Sequence, residues 1–131
     1  MDQAAGVSRL LAVDDNSDSA ELIARVASKC GYEARTMEDT RTLQQVLRDW
    51  KPDIVTLDLC MPQDDGIGLL SLLQESGFKG QLVIISGQDD WLRKAAGRLA
   101  GLRGLNVIDH MGKPVELKAL RQLLTSLRSP G

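Results

Sequence analysis

The sequence predicts an α/β domain, a doubly wound parallel sheet of five strands with helices on both faces. Three observations carry that prediction. Short apolar runs stop abruptly on an acid or a hydroxyl, as in Leu10-Leu-Ala-Val-Asp14, Ile54-Val-Thr-Leu-Asp58 and Leu82-Val-Ile-Ile-Ser86, the pattern of buried parallel strands delivering one polar group to a sheet edge. Segments with apolar residues at helical spacing lie between these runs. Glycine or proline punctuates most junctions.

Arg9 to Asp14 is the first strand. Asp15, Asn16 and Ser17 form a turn, and Ser17 or Asp18 is expected to cap a helix carrying Leu22, Ile23, Val26, Ala27 and Cys30, stopped by Gly31. Tyr32 to Met37 is a short second strand. Asp39 or Thr40 opens a second helix with Leu43, Val46, Leu47 and Trp50 on one face, and Lys51-Pro52 ends it, because the residue before proline avoids the helical region. The third strand ends at Asp58. After a Met61 to Gly66 loop, Ile67 to Ser76 is a third helix with Leu69, Leu70, Leu72 and Leu73 turned inward. Gln81 to Ser86 is the fourth strand. A fourth helix runs from Asp89 or Asp90 to about Gly101; its Gly97 and Gly101 each weaken it by about 1 kcal/mol relative to alanine. Leu105 to Met111 is the fifth strand, Gly112-Lys113-Pro114 a loop, and Val115 to Leu127 a fifth helix carrying Leu117, Leu120, Leu123, Leu124 and Leu127. Residues 9–127 therefore form a single domain, with residues 1–8 as a tail and 128–131 as a tail or the start of a linker.

Composition narrows the function. The chain has 131 residues, enough to bury one core, and 43% are hydrophobic, which excludes a disordered polar chain. No apolar run is long enough for a membrane helix, and Met1 to Arg9 lacks the order of a secretory signal, so a cytoplasmic location is expected. Cys30 and Cys60 show no metal-ligand spacing and read as reduced thiols that fill space. The net charge of −2 gives no basic footprint for direct nucleic-acid binding, and 3% aromatics leave few rings to clamp a flavin.

In such a sheet the C-terminal strand ends share one edge. That edge gathers Asp14, Asp15, Asp58, Ser86 and Lys113. Three crowded carboxylates disfavour their own ionisation, and a divalent cation relieves the penalty. Hard oxygen ligands of this kind suit Mg²⁺. A hydroxyl and an ammonium nearby would bind the remaining oxygens of a phosphoryl group. The set describes an aspartate that attacks phosphorus. One capping carboxylate after the first strand would be unremarkable, but a second adjacent acid is better explained by a metal.

Asp14-Asp15, Asp58 within D-L-C-M-P, Asp65-Gly66, Ser86-Gly87 and Lys113-Pro114 resemble the receiver domain of two-component response regulators, over about Arg9 to Leu127. The resemblance implies a flavodoxin-like fold with strand order 2-1-3-4-5. It implies that Asp58 accepts a phosphoryl group from a histidine kinase or histidine phosphotransfer protein, in a phosphorelay. Asp14 or Asp15, Asp58 and the backbone carbonyl of Cys60 would hold Mg²⁺, while Ser86 would hydrogen-bond the phosphoryl group and Lys113 would pair with it. The product would be a changed surface, through Ser86 and a switch residue, or a homodimer through the fourth helix, fifth strand and fifth helix, rather than a released product. The domain would act alone or belong to a regulator whose output domain is absent from this sequence.

The sequence departs from the family pattern in places. The switch aromatic, three residues before the lysine, is His110, read either as a partly buried ring or as a polar switch responsive to pH. Gly112 precedes Lys113, and the long Ser86 to Lys113 segment resembles receivers linked to cyclic-di-GMP phosphodiesterase domains. Trp91 is read either as a core residue or as an exposed partner contact. Competing readings are a phosphorylation-independent docking module and an aspartate-nucleophile phosphohydrolase. Against the latter, Cys60 stands where a second acid would be needed. A flavodoxin-type cofactor site is disfavoured because Asp14-Asp15 would repel a flavin phosphate.

Overall fold

In the computed structural model, the described residues are 8–58, 66–86, 101 and 104–128. Their elements are β1 (Arg9–Val13), α1 (Ser17–Lys29), β2 (Glu33–Met37), a 3-10 turn (Thr40–Thr42), α2 (Leu43–Asp49), β3 (Ile54–Asp58), α3 (Gly66–Glu75), β4 (Gln81–Ser86), β5 (Asn106–Gly112) and α4 (Leu117–Arg128). The five strands form one parallel sheet in the order β2-β1-β3-β4-β5, the flavodoxin-like order 2-1-3-4-5. The fourth helix that the sequence predicts lies outside the described residues, save for a helical Gly101; α4 is the fifth. Cys60, Asp65 and Trp91 also lie outside them. No helix among the described residues is long and apolar enough to cross a membrane.

The central strands are mainly apolar because both of their faces are covered. Leu11, Val13, Val55, Leu57, Leu82 and Ile84 point to one side, where α2 and α3 add Leu43, Leu47, Leu70 and Leu73. Leu10, Ala12, Ile54, Val83 and Ile85 point to the other, onto Ala20, Ile23 and Ala27 of α1 and Leu120 and Leu124 of α4. A fully buried leucine or isoleucine contributes about 2 kcal/mol, so these two layers account for the register.

Several local expectations are corrected. Neither Ser17 nor Asp18 caps α1. Asn16 does, its side chain accepting a hydrogen bond from Ser19 N at 3.0 Å, because the turn leaves it the extended backbone a cap needs. The second helix opens through the 3-10 turn, with Asp39 Oδ1 accepting from Arg41 N. Leu22 and Leu117 match the helical period but are 43% and 39% exposed, at the outer rim of the α1–α4 seam. Cys30 is half-buried in that seam, its Sγ 3.6 Å from Thr125 Oγ1.

The β5 strand carries a bulge. Leu82 pairs with Val107 but Val83 pairs with Asp109, so Ile108 is the extra residue. This lets Ile108 and Met111, three apart, both pack against the α1–α4 layer. His110 then pairs with Ile84, and its side chain is exposed rather than partly buried.

Candidate functional site

Strand alternation brings the polar groups to the C-terminal edge of the sheet. Asp14 follows β1 directly and is 1% exposed. Its Oδ1 accepts a hydrogen bond from Asn16 N at 2.9 Å, so one carboxylate oxygen shapes the turn into α1. The other, Oδ2, is buried and accepts no hydrogen bond among the described residues; Lys113 Nζ stands 3.5 Å from it. Asp58 ends β3, is also 1% exposed, and its Oδ2 accepts from Lys113 Nζ at 2.6 Å. Asp15 is exposed, and one carboxylate oxygen from each of Asp14, Asp15 and Asp58 lies within 4.8 Å of the others.

Lys113 reaches this group from the loop after β5, next to a cis Lys113–Pro114 peptide, with its side chain 26% exposed. Ser86, fully buried, is the last residue of β4; Asp58 pairs with Ile85, its immediate neighbour, and Ser86 itself pairs with Gly112, directly before Lys113. The structure thus brings Asp14, Asp15, Asp58 and Lys113 together and sets Ser86 at the same edge. His110 lies two residues earlier on β5, with its backbone N–H donating to Asp109 Oδ1 at 2.7 Å.

The electrostatics follow from this crowding. Asp14 is pushed up to about 6, first by burial and further by the carboxylate of Asp58, against the opposing hydrogen bond from Asn16 and the charge of Lys113. Burial works to lower Lys113, but the hydrogen bond and charge of Asp58 and the charge of Asp14 outweigh it and hold the ammonium above its ordinary value. One cation faces three carboxylates. The unbonded Asp14 Oδ2 and the neighbouring oxygens of Asp15 and Asp58 fit a hard divalent cation such as Mg²⁺, which binds through one or two carboxylates and keeps other positions for water or phosphate.

Sequence reasoning missed Asn16, which it placed only in a turn. Its side chain caps α1 while its backbone N–H fixes Asp14. The visible signal was an asparagine between a buried strand and a helical run. It also missed the buried hydroxyl of Thr56, two residues before Asp58 on the same sheet face, whose Oγ1 has no hydrogen-bond partner among the described residues.

Comparison with known proteins decides the family. Residues 10–125 match the response regulator receiver domain model. The chain belongs to the response regulator receiver family. Among relatives, this receiver is 32% identical over 122 residues to the response regulator MprA of Mycobacterium leprae, covering 92% of this chain and 50% of that protein. It therefore spans about half the length of the curated relatives it matches. A response regulator from Colwellia psychrerythraea superposes with a TM-score of 0.83 at 32% identity, over 94% of this receiver and 98% of that chain. The chemotaxis protein CheY4 of Vibrio cholerae shares the fold, with a TM-score of 0.77 at 20% identity over 92% and 98% of the two chains.

Proposed function

We propose that this receiver takes a phosphoryl group on Asp58 from a histidine kinase or histidine phosphotransfer protein, and that the modified domain signals through its surface. The observation that carries the reading is the 2.6 Å contact between Lys113 Nζ and Asp58 Oδ2, beside two further carboxylates at the carboxyl edge of the sheet. A carboxylate oxygen of Asp58 attacks the donor phosphorus. A P–O bond forms, the P–N bond to the donor imidazole breaks, and the imidazole nitrogen keeps the electron pair. Lys113 already faces Asp58, so it needs only a short movement to pair with the new phosphoryl oxygens. The Ser86 hydroxyl donates to another of them. Asp14 or Asp15, with Asp58 and the carbonyl of Cys60, would hold Mg²⁺, which supplies charge neutralisation for the transferring group when bound.

The donor would sit on the rim of α1 and the loop before α4. Exposed Leu22 and Leu117 line one cavity of about 150 Å³ together with Lys113 and Pro114, so an apolar face runs directly into the reacting group. Phosphorylation adds charge and acceptor oxygens at Asp58. Ser86 and Lys113 close on them and bias β5, including His110, between two arrangements. The altered face of β5 and α4 would then bind a second copy or an output domain in the cytoplasm. The domain acts on no released substrate.

Beryllofluoride, which mimics an aspartyl phosphate, tests the site. With Mg²⁺ it should raise the melting temperature of the wild type by several degrees and leave Asp58→Ala unchanged. An equal shift in both proteins would sink the assignment.

A further inference from the structure

A second concave region lies at the opposite pole of the sheet, between the C-terminal ends of α2 and α3. Its volume is about 430 Å³, within the range of small-molecule sites. Three cations from three segments line it: Arg48 in the last turn of α2, Lys51 in the turn into β3, and Lys79 in the turn into β4. Among the described residues none of these side chains has an ion pair or hydrogen bond. Among the described residues Asp53 is the one carboxylate of the lining, and its Oδ2 already accepts from Arg9 N at 2.8 Å.

Lys51 has a second peculiarity. The residues after α1 and α3 that adopt the left-handed conformation are glycines, Gly31 at φ 93° and Gly77 at φ 74°. After α2 the same role falls to Lys51 at φ 54°, where a side chain is less favourable than glycine. Among the described residues no hydrogen bond or ion pair of the lysine side chain offsets that cost. What it adds is a third cation at the cavity. One cation would answer the carbonyl charge of a helix end; three around one hollow exceed that need. The wall beside them is apolar, formed by buried Leu47 and Pro52 and half-buried Phe78.

We propose that this cavity binds a small polyanion with a flat apolar body, of the class of nucleoside di- and triphosphates. Arg48, Lys51 and Lys79 hold the phosphates, and the base lies against Phe78 and Leu47. The carboxylates of the phosphoacceptor edge repel the same ligand when no divalent cation is present, so the two sites separate experimentally.

The test is an amide-resolved NMR titration in low-salt buffer containing EDTA, with adenosine diphosphate and, separately, pyrophosphate. Adenosine diphosphate should give saturable shifts confined to residues 47–53 and 76–80. Arg48→Gln combined with Lys79→Gln should weaken binding about tenfold or more, while the spectrum shows both proteins folded. Pyrophosphate should bind several-fold more weakly than the nucleotide. Shifts scattered over all surface lysines, equal affinity in the double variant, or pyrophosphate matching the nucleotide would each overturn the proposal.

Discussion

The ammonium of Lys113 is shared by two buried carboxylates, 2.6 Å from Asp58 Oδ2 and 3.5 Å from Asp14 Oδ2. Before any phosphoryl group arrives, the site is thus held together by the residue proposed to receive that group's charge.

Removing the shared cation should destabilise the domain. Lys113→Met leaves two buried carboxylates facing each other, and a loss of about 2 kcal/mol is expected in EDTA at pH 7.5, less than for a fully buried pair because the lysine is partly exposed. Asp58→Asn, which removes one of the competing charges, should stabilise the domain under the same conditions. Urea unfolding of the two variants checks both signs.

The raised pKa of Asp14 has a pH consequence. Its carboxyl is protonated in the folded state up to about pH 6 but ionises near 3.8 when unfolded. Between these values the folded state binds the extra proton, so stability falls as pH rises from about 4 to 6, by roughly 3 kcal/mol from this group, and is flat above. Saturating Mg²⁺ should flatten the dependence by stabilising the ionised form. Denaturant midpoints across this range with and without Mg²⁺ measure it, and Asp14→Asn should abolish it.

Thr56→Val should stabilise the protein by about 1 kcal/mol, since the buried hydroxyl has no hydrogen-bond partner among the described residues and the methyl replacing it keeps the shape. Chemical denaturation gives the value directly. A loss of stability would show that the hydroxyl is satisfied in solution.

The rim residues separate docking from chemistry. Leu22→Ser with Leu117→Ser should cost about 2 kcal/mol of stability at most, since each leucine is only partly buried, and should leave labelling by a small phosphodonor unchanged, because the cavity they line includes none of the carboxylates. Transfer from a phosphorylated protein donor should slow about tenfold, the equivalent of 1.4 kcal/mol of lost apolar contact. Rapid-quench transfer assays provide the comparison.

The strands were legible because their apolar runs are buried on both faces and end at Asp14, Asp58 and Ser86, so each strand's termination also marks a polar group at the sheet edge. Topology supplied the shared edge, since a parallel sheet gathers those ends, while the roles proposed for the residues there came from the family resemblance. What alternation could not supply was the β5 bulge, since a two-residue period puts Ile108 and Met111 on opposite faces, whereas both pack on the same one. The inserted residue decides that His110 is exposed. Helical period likewise grouped Leu22 and Leu117 with the buried apolar positions of their helices although both are exposed, because periodicity locates a face but not how far the neighbouring helix extends over it. Lys51 in a left-handed conformation was equally hidden, as proline after it argues only against a continued helix.

The central claim is that Asp58 carries the phosphoryl group. Its most direct test is intact-mass measurement after incubation with acetyl phosphate and Mg²⁺, for the wild type and Asp58→Ala side by side, using an established receiver as the positive control. A labile gain of one phosphoryl group in the wild type alone is the predicted result. No gain in the wild type while the control is labelled, or an equal gain in Asp58→Ala, would contradict it.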